Sequence, residues 1–211
     1  RFRQFMTDEV NAAIEGARGG GATEILVSDS HGNGQNLLIE QLPDDVMVVR
    51  SWPRPLAMMD GIDSSFDGVI FLGYHTSTNN MEGVRAHTMS SANLTAVSLN
   101  GVPVSEAVWN AAIAAHFGVP VIMISGDDAI VDEARETLGP MEGAVVKTAR
   151  GVHSATTMTP GAAVPLIRET ARRAVSRAAD FSPMVIETGP VEVVLSLKNY
   201  QPIELLGYLR W

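Results

Sequence analysis

The chain has no cysteine among its 211 residues. That excludes a disulfide framework and any thiolate metal site, so a metal ion would have to be held by imidazole and carboxylate. Positive charge is scarce as well: 15 Lys and Arg stand against 24 Asp and Glu, a net charge of −9. Neutralising phosphates needs a basic face, so this balance argues against a nucleic-acid partner and against an anionic membrane surface. No apolar run in the sequence approaches the roughly 18 residues that span a bilayer. No signal peptide is recognisable, which favours the cytoplasm, although the chain begins at Arg1 without a methionine, so the true amino terminus is expected upstream. What remains is ordinary for a globular protein, with 45% hydrophobic and 18% charged residues. It is enough for one well-buried domain, or a domain with a small appendage.

The apolar spacing predicts an amphipathic helix over 2–18, with Thr7 as an internal N-cap, closed by Gly19, Gly20 and Gly21. These glycines follow a helix and precede a strand, the reverse of a phosphate loop, so they read as a cap and turn. Strands are expected at 24–28, 46–49, 68–72, 94–99, 121–124, 144–147 and 191–197. Helices are expected at 36–42, from the Ser105 N-cap to 117, from about 128 to Leu138, and from Thr159 to about 179, with one helical turn at 56–61. Asn100-Gly101 signals a hairpin whose return arm, 102–104, carries Pro103 and is therefore an edge. Strands alternate with helices through residue 150, which predicts an α/β fold: a mostly parallel central sheet with helices on both faces, plus a small carboxyl-terminal lobe. On this reading 1–150 form the catalytic domain, and 151–211 form its continuation or a small second lobe.

In an open α/β sheet the chemistry sits beyond the carboxyl ends of strands. His31 follows the first strand visible and His75 follows the strand at 68–72, while Glu106 opens the helix after the hairpin. Imidazole and carboxylate suit zinc, and Asp29 stands two residues before His31, where it could orient the imidazole. Each also has a plain structural reading: a loop histidine satisfied by hydrogen bonds, and a glutamate favoured by the helix dipole. His87, in a polar loop, His116, at a helix end, and His153, in a loop after Arg150-Gly151, read in the same way. Asp127 and Asp128 could bind a metal, but N-capping of the following helix is the simpler role.

The segments TEILVSDSHG, FDGVIFLGYHT, GVRAHTMS, LNGVPVSE and PVIMISGDD occur in that order, and the tail contains LSLKNYQPIELLGYL. Together they resemble the zinc-dependent D-aminopeptidase family. The resemblance implies a metallo-aminopeptidase that removes amino-terminal residues from short peptides with a preference for D-residues such as D-alanine. It implies two zinc ions per subunit, with His31, His75 and Glu106 as metal ligands and His87 as the catalytic nucleophile or general base. It further implies a homo-oligomeric ring of decamer type whose chamber admits small peptides. In the family an Asp-x-Glu pair at the end of a first strand completes the metal site, and here that pair is expected before residue 1. The alternatives are another metal-dependent amidohydrolase, or a homologue that binds metal or small ligands without catalysis.

Overall fold

The computed structural model describes residues 1–186 and 189–208. Helix α1 (Phe2–Gly19) is followed by strands β1 (Leu26–Ser28), β2 (Met47–Val49), β3 (Val69–Tyr74), β4 (Leu94–Leu99) and β5 (Val102–Pro103). Helix α2 (Glu106–His116), strand β6 (Val121–Asp127), helix α3 (Asp128–Leu138) and the hairpin β7 (Glu142–Gly151) and β8 (Ser154–Thr157) come next. Helix α4 (Pro160–Ser176), strand β9 (Val193–Leu197) and helix α5 (Tyr200–Leu206) complete the order.

The expected parallel pairing is present, but it is divided. β1 and β2 form a two-stranded parallel sheet, while β3, β6 and β7 run parallel in a second sheet with β8 antiparallel at its edge. β4 lies outside this sheet. With its hairpin partner β5 and with β9 it forms a separate antiparallel sheet in the order β5-β4-β9, so Pro103 does fall on an edge strand.

The centre is β6, every residue of which is buried, as expected of a parallel strand covered on both faces. On one face Phe71 and Ile124 pack with Ala107, Ala111 and Ala114 of α2 and with Ile130, Val131 and Ala134 of α3. On the other, Ile122, Met123 and Ala144 meet Ala12 and Ala13 of α1 and Ile167, Ala171 and Ala174 of α4. Helices α1 and α4 approach closely because of two glycines. A Cβ on Gly16 would lie 2.1 Å from the Arg168 carbonyl oxygen, and one on Gly20 would lie 2.6 Å from that of Arg172. Gly20 is therefore a contact surface as well as the helix cap. Residue 150 falls inside β7, and α4 shares a core with α1.

Several local expectations change. Thr7 lies within α1 and is fully buried; its hydroxyl donates to the Arg3 carbonyl at 2.8 Å and accepts the Leu38 N–H at 3.0 Å. It ties the helix to the next segment and caps nothing. The helix expected at 36–42 shrinks to a 3₁₀ turn, Ile39–Gln41, and the Asn36 and Leu37 N–H groups before it donate to the Asp29 carboxylate at 2.6 and 2.8 Å. The strand expected at 144–147 is longer and has the partner β8, whose four residues are all exposed. A polar, two-sided strand carries no alternation to read. No helix among the described residues is long and apolar enough to cross a membrane.

Candidate metal and catalytic site

Three chain segments meet beyond the carboxyl end of β3. His75 follows the last residue of that strand, His87 comes from the loop of residues 76–90, and Glu106 is the first residue of α2. Ser105 starts the helix by accepting the Val108 N–H on its hydroxyl, so the cap fixes where the Glu106 side chain emerges.

The loop is bent back by hydrogen bonds to buried groups. The His87 N–H donates to the Thr76 carbonyl at 3.1 Å, and the Thr88 hydroxyl donates to the Val104 carbonyl at 2.8 Å. The Val84 N–H donates to the Asp127 carboxylate at 2.7 Å, and the Arg85 N–H to the Val152 carbonyl at 2.8 Å. Arg85 and Met89 both take φ +61°, a conformation costly for residues with a side chain and held here by those contacts.

The result is a compact cluster. His75 Nε2 lies 3.7 Å from Glu106 Oε2 and His87 Nε2 lies 3.9 Å from Glu106 Oε1. The two imidazoles stack with centroids 3.9 Å apart at 18°. One ligand atom from each of the three residues falls within 4.8 Å of the others. Exposure is 19%, 24% and 11% for the side chains of His75, His87 and Glu106, so His87 stands nearest solvent.

Hydrogen bonds set which atoms are presented. A carbonyl only accepts, so the 2.6 Å contact of His87 Nδ1 with the Arg85 carbonyl puts the proton on Nδ1 and leaves the Nε2 lone pair free. His75 Nδ1 faces the Thr76 carbonyl at 3.3 Å in the same sense. Glu106 Oε1 accepts the Met89 N–H at 2.7 Å, which aims the carboxylate. Burial holds the His75 pKa below its ordinary value; the Glu106 carboxylate opposes that and the His87 ring adds to it. His75 is therefore kept in the neutral form that binds metals.

Behind the cluster Tyr74 is partly buried, packed against the core with its ring stacked on Phe71. Burial pushes its phenol pKa up and the nearby Glu106 charge adds to this, against the Asn110 hydrogen bond to the phenol oxygen at 2.9 Å. Two imidazoles and a carboxylate with converging free lone pairs are a donor set that fits zinc.

His31 is not among these residues. It is exposed on its turn, with its ring edge against Phe2 at 5.4 Å. Asp29 does not orient it, since that carboxylate accepts from the backbone N–H groups of Asn36 and Leu37 and from the Asn36 amide. Asp127 caps α3 by accepting the Ile130 N–H at 2.9 Å, the simpler of its two readings, and Asp128 accepts the Ala149 N–H at 3.1 Å. His153 does not stay apart. The turn between β7 and β8 carries it to Arg85, and its Nδ1 lies 3.1 Å from Arg85 Nη1. Sequence reasoning passed over Arg85, Asn110 and the second contact of Asp127; no spacing in the chain announces them.

Comparison with known proteins bears on this site. The family model described as D-aminopeptidase (peptidase M55) matches residues 1–209. A D-aminopeptidase of Bacillus subtilis (strain 168) is 34% identical over 206 residues, covering 97% of this chain and 73% of that protein. The solved structure of Zn-dependent D-aminopeptidase DppA from Bacillus subtilis, described as a self-compartmentalizing protease, superposes with a TM-score of 0.92. That match has 30% identity and covers 98% of this chain and 74% of that one. With the match running nearly end to end, the chain belongs to the D-aminopeptidase family and is a hydrolase of the metallo-aminopeptidase kind.

Proposed function

We propose that this chain hydrolyses the amino-terminal peptide bond of short peptides, with preference for a D-residue such as D-alanine, at a zinc site containing His75 and Glu106. The observation that carries the reading is the convergence of His75, His87 and Glu106, with ligand atoms within 4.8 Å, at the end of a buried strand. Zinc bound there would supply Lewis-acid polarisation of the scissile carbonyl and a lowered pKa for water.

His87 is the proton carrier. Its Nδ1–H is engaged by the Arg85 carbonyl and its Nε2 is free on the more exposed side of the cluster. It can accept a proton from the attacking water and return it to the leaving amine. Glu106, held by the Met89 N–H, and neutral His75 form the fixed wall opposite. Resemblance alone supports the dinuclear part of the reading, with His31 joining His75 and Glu106 as a metal ligand. The D-preference, the cytoplasmic setting and assembly into a homo-oligomeric ring rest on the same ground; for the ring, the self-compartmentalizing character of DppA adds support.

The experiment is elemental analysis of the protein followed by turnover of D-alanyl and L-alanyl amides. The expected result is bound zinc and faster D-alanyl release. His87→Ala should lower kcat by roughly 10²–10⁴, the usual weight of a general acid–base, while zinc stays bound. Loss of zinc in that variant would make His87 a ligand and overturn the division of roles.

A further inference from the structure

We propose that Arg85 and His153 form a binding site for the free α-carboxylate of a short peptide whose amino end lies at the His75, His87 and Glu106 cluster. The proposal rests on the hydrolytic reading above and adds to it a substrate class: short peptides with an uncapped carboxyl end.

The pair is assembled by the fold. Arg85 lies on the site loop and His153 on the β7–β8 turn, 68 residues later, and Arg85 Nη1 meets His153 Nδ1 at 3.1 Å. The backbone beneath is pinned on both sides, by the Arg85 N–H on the Val152 carbonyl at 2.8 Å and the Val84 N–H on the buried Asp127 at 2.7 Å. Arg85 holds φ +61° under these restraints.

The contact is also unusual in its chemistry. A guanidinium has five N–H donors and no acceptor, so His153 Nδ1 must accept and the ring proton sits on Nε2. Among the described residues no carboxylate lies within 4.0 Å of the Arg85 guanidinium; Arg18, Arg168, Arg172, Arg173 and Arg177 are ion-paired, and Arg3, Arg54, Arg135 and Arg150, which are not, donate to carbonyl or hydroxyl oxygens. Arg85 thus faces a neutral ring and keeps most of its fork unspent, with a further donor beside it at His153 Nε2. A carboxylate is the group that such a fork binds in bidentate fashion.

Location decides which carboxylate. The Arg85 carbonyl receives the His87 Nδ1–H at 2.6 Å, so the arginine stands two residues from the proposed proton carrier. An extended di- or tripeptide spans roughly 7–11 Å at about 3.3–3.6 Å per residue, and on this proposal its carboxyl end meets the Arg85 side chain when its amino end lies at His87. The chain carries a net charge of −9, which repels an anionic substrate, and one unpaired cation beside the site offsets that locally. A longer peptide, or one with a carboxamide end, presents no charge there.

The test compares D-alanyl-glycine with its carboxamide on the zinc-loaded protein, by kcat/KM and by calorimetric binding. The wild type should favour the free acid by about tenfold or more, chiefly through KM, and Arg85→Gln should bring the acid-to-amide ratio close to one. Arg85→Lys should restore part of the ratio, and His153→Gln should lower it less than Arg85→Gln does. A melting curve for each variant separates loss of the anchor from loss of the fold. A wild-type ratio near one, or a ratio unchanged in Arg85→Gln, would overturn the proposal. If neither compound is cleaved, the hydrolytic reading fails. The binding arm then decides alone: tighter binding of the acid that depends on Arg85 supports the anchor, and equal binding refutes it.

Discussion

Replacing Asp127 with alanine should cost more stability than any single hydrogen bond, because its carboxylate serves two elements at once. Oδ1 caps α3 by accepting the Ile130 N–H at 2.9 Å, and Oδ2 accepts the Val84 N–H at 2.7 Å from the loop that carries His87. The Asp127 side chain and its bond to Ile130 are wholly buried, and the bond to Val84 is partly buried, so water replaces the carboxylate only in part. Losing the cap costs about 1 kcal/mol. Leaving the Val84 N–H without a partner costs about 1–3 kcal/mol more. The sum, about 2–4 kcal/mol, should appear in urea unfolding as a lower midpoint at unchanged slope. For a chain of this length it amounts to a fall in Tm of roughly 4–16 °C, at about 2–4 °C per kcal/mol. Asp127→Ser should recover the cap alone, about 1 kcal/mol, while turnover stays low because the loop remains untethered. A loss below about 1 kcal/mol in Asp127→Ala, with turnover intact, would refute the claim that this carboxylate links the sheet to the site.

Gly83→Ala should disturb the same loop from the other side. The new Cβ would fall 2.1 Å from Thr76 Oγ1, and Thr76 is fully buried with its hydroxyl donating to the Asn80 carbonyl at 3.0 Å. Overpacking of this kind costs about 1–3 kcal/mol, and kcat should fall with it because the His87 N–H is held by the Thr76 carbonyl; an unfolding curve matching the wild type would contradict this. Tyr74 gives the pH dependence. Its phenol pKa is raised by burial from an ordinary value of 10.0, so above about pH 10 the unfolded chain releases a proton that the folded chain keeps. Its contribution is fully present below that pH and is lost as pH rises, at roughly 1.4 kcal/mol per pH unit. Tyr74→Phe should flatten this alkaline slope, at a cost near pH 7 of about 1 kcal/mol for the Asn110 hydrogen bond; a slope identical to the wild type would assign the alkaline loss to other groups.

The local signals in the sequence were sound where one element decides the matter. The apolar run that became β6, the Ser105 and Asp127 caps and the Asn100-Gly101 hairpin with its edge proline depend on neighbours in the chain, and each stands in the structure. The ordered motifs were enough to indicate the family. Position after a strand marked His31 and His75 alike as candidates, and position at a helix start marked Glu106, each beside a plain structural reading.

Elsewhere tertiary contacts decided. Thr7 has the type of an N-cap, but packing turned it into a tie to Leu38. The segment at 36–42 reads as a helix, but it holds only a 3₁₀ turn, anchored to the Asp29 carboxylate through the Asn36 and Leu37 N–H groups. The division of the expected sheet, and the pairing of β4 with β9 about a hundred residues later, depend on which edges meet in space. The meeting of Arg85 with His153 is of the same kind. Sequence alone determined which residues could carry the chemistry, because side-chain type and element ends are local properties. That His75, His87 and Glu106 share one volume was decided by the tertiary structure, since it depends on how the loop of residues 76–90 folds back against Thr76 and the start of α2.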